Sequence, residues 1–115
     1  MKNPFKDLLV PEFKDTPPQK EYKTVDVFFD SSEAIRITLA EPYMGKWALG
    51  YSLYFKDGRS ACRLPSLEYG YFNSEREAIL YFTGMITENA NFFSSAAIDA
   101  VRKLMDEKLQ DTLFS

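Results

Sequence analysis

Fourteen lysines and arginines stand against seventeen aspartates and glutamates in 115 residues, a net charge of −3, so any nucleic-acid role requires a local basic patch. There is no histidine, which removes the commonest general base and the commonest metal ligand, and one cysteine, Cys62, which excludes an internal disulfide and a thiolate cluster. With 45% apolar and 16% aromatic residues the chain has material for one core, and its length suits one domain.

No positively charged start leads into an apolar run with a small-residue cleavage site, and no stretch approaches the roughly 18 apolar residues of a membrane-spanning helix. With the lone cysteine, this gives the expectation of a cytoplasmic protein that neither enters nor crosses a membrane.

Residues 1 to 23 read as an N-terminal arm. Asn3 can cap and Pro4 can open a short helical turn over Phe5, Leu8 and Leu9, which Pro11 interrupts. Thr16-Pro17-Pro18-Gln19-Lys20 then forms an extended connector, and the arm either docks through its apolar residues or stays loose. Residues 24 to 115 are expected to form the single domain.

From Thr24 the pattern takes a period of two. Val25, Val27 and Phe29 alternate with Asp26 and Phe28, and beyond the Asp30-Ser31-Ser32 turn signal Ile35, Ile37 and Leu39 alternate with Arg36 and Thr38. Pro42 and Gly45 break this hairpin, after which Trp47, Leu49, Tyr51, Leu53 and Phe55 make the longest alternating run. Asp57-Gly58 favours a two-residue hairpin turn. That loop would set Lys56 opposite Arg59, Leu53 opposite Cys62 and Tyr51 opposite Leu64, placing Cys62 and Leu64 on the apolar face. There Cys62 would act as a small, inert hydrophobe. Pro65 ends the strand.

Ser74-Glu75-Arg76-Glu77 has capping-box spacing, so a helix should start here and cover the sheet with Ala78, Ile79, Phe82, Met85 and Ile86. Asn89-Ala90-Asn91 ends it. Ser94 or Ser95 can cap a second helix with a buried stripe of Ala97, Ile98, Val101, Leu104, Met105 and Leu109; Leu113 and Phe114 extend it or fray. Strands followed by helices give an α+β fold, an antiparallel sheet of about four strands with two C-terminal helices packed on one face. The other sheet face would carry Arg36, Thr38, Ala48, Gly50, Ser52, Tyr54, Ala61 and Arg63.

Nothing in this inventory makes a catalytic, metal or cofactor site. The carboxylate pairs Glu75 with Glu77 and Asp106 with Glu107 belong to helix ends or wet faces, and the glycines are too scattered to cradle a phosphate. Gly50 reads as a strand distortion or, alternatively, a close backbone approach. No cofactor and no enzymatic activity are expected. The candidate interaction surface comprises Arg36, Tyr54, Lys56, Arg59 and Arg63, with Tyr69 and Tyr71 from an aromatic loop. The basic residues and Tyr54 could grip phosphates and stack on a base, yet the same charges also discourage strand addition at an edge. The aromatic loop either folds onto the core or forms a platform.

The run from Gly45-Lys46-Trp47 to Ile86, with Gly50-Tyr51, Asp57-Gly58, Leu64-Pro65 and Phe72-Asn73-Ser74-x-x-Glu77-Ala78-Ile79, resembles small strand-strand-helix modules. Such modules accompany partition-type and other proteins of phages, plasmids and conjugative elements. The resemblance implies an accessory protein of a mobile element and carries over no functional residue. The resulting expectation is a non-catalytic binding or adaptor module with a protein partner or self-association. The alternative is a nucleic-acid-binding accessory factor acting through the basic sheet face and hairpin tip.

Overall fold

In a computed structural model the described residues are 21–66 and 71–114, with side chains described through Gln110. The expectations for the N-terminal arm up to Lys20 and for Tyr69 lie outside them. Four strands, β1 (Lys23–Phe29), β2 (Ala34–Tyr43), β3 (Lys46–Tyr54) and β4 (Ser60–Ser66), form one antiparallel sheet in the order β1-β2-β3-β4. Two helices follow, α1 (Glu75–Glu88) and α2 (Ser95–Phe114), separated by a 3-10 turn over Ala90–Phe92. The α+β architecture is the one that strands followed by amphipathic helices dictate.

The alternation of β2 and β3 places Ile35, Ile37, Leu39, Leu49 and Leu53 against Ile79, Phe82, Ile86, Ile98 and Val101 in one core. Helix α1 packs over β2 and β3, and α2 packs on α1 and over β1; neither covers β4 to a comparable extent. The fourth strand therefore overhangs the helical layer.

Local chemistry sets the helix starts. Ser74 caps α1 by accepting from the Glu77 amide at 3.1 Å, while the Glu77 carboxylate accepts from the Asn73 amide at 2.9 Å, one residue upstream of the expected capping-box return. Ser94 caps α2, its hydroxyl accepting from the Ala97 amide at 3.2 Å. The last expected member of the α2 stripe, Leu109, is exposed instead.

Two strand irregularities correct the expected faces. In β1 a bulge between Asp26 and Phe28 shifts the register, so Phe28 packs against the core and Phe29, expected inside, is 81% exposed. In the β3–β4 hairpin the loop has three residues, not two. Gly58 donates to the Phe55 carbonyl at 3.0 Å and alone takes positive φ, +92°, while Asp57 keeps negative φ. A type I turn closed by a left-handed glycine adds one residue relative to the two-residue turn. Tyr54 now faces Ser60, Leu53 faces Ala61, Ser52 faces Cys62 and Tyr51 faces Arg63. One residue of slip exchanges the faces. Cys62 and Leu64 turn away from the core and are exposed, while Ala61 packs against it. Arg63 moves to the helix side, half-buried.

Gly50 combines both readings given for it. It lies at a bulge opposite Leu64-Pro65, and a Cβ there would stand 2.5 Å from the Arg63 carbonyl oxygen and the Pro65 nitrogen. Only hydrogen fits under that backbone.

Candidate functional site

Where β4 overhangs, an open groove of 370 Å³ lies between the β3–β4 hairpin and the C-terminal end of α1. Its sheet wall is built by alternation: Tyr51, Leu53 and Phe55 of one strand and Ala61 of the next point to the same side. Its helical wall is Met85 and Ile86 of α1 and, one turn on at the C-cap, Asn89, continued by Phe92 of the 3-10 turn and Phe93 after it. The Asn89 side-chain Nδ2 donates to the Met85 carbonyl at 2.8 Å and its backbone N–H to the Ile86 carbonyl at 3.0 Å, closing the helix end.

Aromatic contacts hold the walls in place. Phe55 lies 5.3 Å from Phe93 and Tyr51 lies 5.9 Å from Phe82, centroid to centroid, both tilted. Phe93 is buried, whereas the neighbouring Phe92 is 47% exposed at the groove. At the mouth the Arg59 guanidinium sits 5.8 Å from the Phe55 ring centroid and donates to Asp57 at 2.7 Å. The Asp57 carboxyl is held below its ordinary value, chiefly because the Arg59 backbone amide donates to it. An apolar, rigidly backed groove of this size with a few polar groups at its rim can seat one or two apolar side chains.

The residues expected to form one interaction surface are dispersed. Arg36 lies on the outer face and donates to Asp26 at 2.5 Å, a contact that raises its pKa further; Tyr54 is 57% exposed on the same face. Lys56 and Arg59 are exposed at the hairpin tip. Arg63 is on the opposite face. Tyr71 is half-buried with the Lys46 ammonium 4.3 Å from its ring centroid. Its neighbour Phe72 is fully buried and exchanges backbone hydrogen bonds with Trp47 at 2.8 and 3.0 Å.

A second polar assembly went unread in the sequence. Glu33, 2% exposed, accepts from the Ser94 hydroxyl at 2.5 Å and the Ser94 amide at 2.9 Å, joining the β1–β2 turn to the start of α2. Every oxygen of this carboxylate is used by a helix N-terminus, a structural clasp. The signal available was a glutamate closing a turn and a serine 61 residues later that suited a cap. Among the described residues no group of three Cys, Asp or Glu side chains is placed to hold a metal ion, and no helix is long and apolar enough to cross a membrane.

Comparison with protein-family models, with curated proteins and with solved structures gives no match to this chain.

Proposed function

We propose that this chain is a non-catalytic protein-binding module and that the groove beside β4 is its contact surface. The observation that carries the reading is the overhang: a fourth strand less covered by the helices than its neighbours, flanked by exposed Phe92 and an apolar channel open to solvent. Aromatic and methionine side chains at a concave, pre-formed site are the residue types that anchor protein partners.

The distribution of cations supports this reading over the nucleic-acid one. Arg36 and Arg59 are each engaged by a carboxylate, and Arg63 faces the other side of the sheet, so the basic residues do not combine into one phosphate-binding track. The resemblance of residues 45–86 to accessory modules is the reason to seek the partner among proteins of a mobile genetic element.

The test is retention of proteins from nuclease-treated lysate of the source cells by the tagged chain and by its Phe92→Ser and Met85→Glu variants. A protein retained by the parent and lost by both variants, with unchanged circular dichroism, supports the groove. Equal retention by all three removes it as the contact surface.

A further inference from the structure

The sheet face away from the helices is divided. Toward the β3–β4 hairpin its residues Arg36, Tyr54 and Cys62 are exposed, as a face without cover should be. At the other end Thr38, Ala40, Ala48 and Gly50 share that face through the pairs Thr38–Gly50 and Ala40–Ala48, and all four are buried. Ala40 and Ala48 do not belong to the core that the helices close. The β4 bulge covers part of this patch, since the Arg63 carbonyl and the Pro65 nitrogen stand over Gly50. Pro65 is itself fully buried, so the bulge has a cover of its own. The Thr38 hydroxyl is closed to solvent and has no hydrogen-bond partner among the described residues, which fits an apolar cover, because a polar one would answer it.

We propose that the cover is this chain's own N-terminal arm, its apolar stretch over residues 5–13 lying across the strands on Ala40, Ala48 and Pro65. Position selects it. Lys23 pairs with Leu39, so the chain enters β1 at the level of Ala40, at the buried end of the face. From β1 to β4 is three strand spacings, about 15 Å, which about five extended residues span. Residues 1–20 have that length several times over. Phe5, Leu8, Leu9, Val10 and Phe13 supply large side chains for a patch whose own are small.

The other segment outside the described residues near this patch, 67–70, is too short. It runs between Ser66, opposite Leu49, and Tyr71, next to Phe72 opposite Trp47. Reaching β2 and returning takes about 20 Å, more than four residues extend at about 3.5 Å each. With the arm in place the sheet becomes the middle of three layers over half its length, and the half with Arg36 and Tyr54 stays open. The groove lies on the opposite face, so this inference does not depend on what the groove binds.

The test uses the full chain carrying Ala40→Cys, with native Cys62 as the exposed reference on the same face. Under native conditions a small maleimide is expected to label position 40 at least about 100-fold more slowly than Cys62, since only opening of the cover exposes it. Leu8→Asp with Leu9→Asp should then speed labelling at position 40 about tenfold or more, because two charges cannot stay in a dry contact. The Cys62 rate and the circular dichroism should not change. With the arm otherwise native, a photo-reactive residue in place of Leu8 should cross-link within the same chain to peptides holding Ala40, Ala48 or Pro65. Equal labelling at positions 40 and 62, protection that survives the two aspartates, or cross-links to α1 or α2 overturns the proposal. Protection that is lost on dilution, with cross-links between chains, overturns it too, by assigning the cover to a second copy.

Discussion

The two outer hairpins end in turns of similar composition that are held in opposite ways. In the β1–β2 turn the Asp30 carboxylate accepts from the Ser32 and Glu33 amides, both at 2.8 Å, and Glu33 then reaches the start of α2. In the β3–β4 turn Asp57 accepts from the Arg59 amide and guanidinium, and the bonds go no further than the turn itself. The first turn is locked to the helical layer and the second projects beside an open groove. An aspartate accepting within its own turn thus yields an anchor where a buried acceptor continues it and a free tip where none does.

The largest break in that contrast is expected at the base of the free hairpin. Gly50→Ala forces a methyl into the backbone of the β4 bulge and should cost about 3 kcal/mol in urea denaturation, because neither Arg63 nor Pro65 main chain can yield without losing register. Next comes the anchored turn. Glu33→Ala strands the Ser94 amide and hydroxyl and should cost about 2 kcal/mol, and combining it with Ser94→Ala should cost less than the sum. The smallest effect belongs to the free tip: Asp57→Ala should leave the thermal midpoint unmoved. Since the folded-state pKa of Asp57 is lowered, whatever the tip gains from this carboxylate is present above the ordinary aspartate value. It fades only as pH falls through the lowered folded value, a change visible in an NMR titration of the Arg59 amide.

Periodicity alone was enough to read the strands of the sheet and both helices. The run from Trp47 to Phe55, the Ser74 cap and the Ala97, Ile98, Val101 stripe each depend on neighbours within a turn or a pleat. The errors arose where one residue decides parity. Asp57-Gly58 suits a two-residue turn, yet Asp57 keeps an ordinary φ and the glycine alone goes left-handed, and that choice moved Cys62, Leu64, Ala61 and Arg63 to opposite faces. The bulge in β1 exchanged Phe28 and Phe29 by the same arithmetic. The groove escaped notice because it depends on how far the helices extend across the sheet, which no local pattern encodes. Glu33 escaped because its partner is distant in sequence.

The clasp between Glu33 and Ser94 joins segments distant along the chain. Its halves are 61 residues apart in sequence, with β2, β3, β4 and α1 between them, so it is expected among the late native contacts rather than in a local nucleus. Mutations there should accelerate unfolding while leaving the refolding rate nearly unchanged. The Ser94 amide should then report, in hydrogen exchange, whether helix α2 lifts off the sheet separately or only when the whole molecule opens.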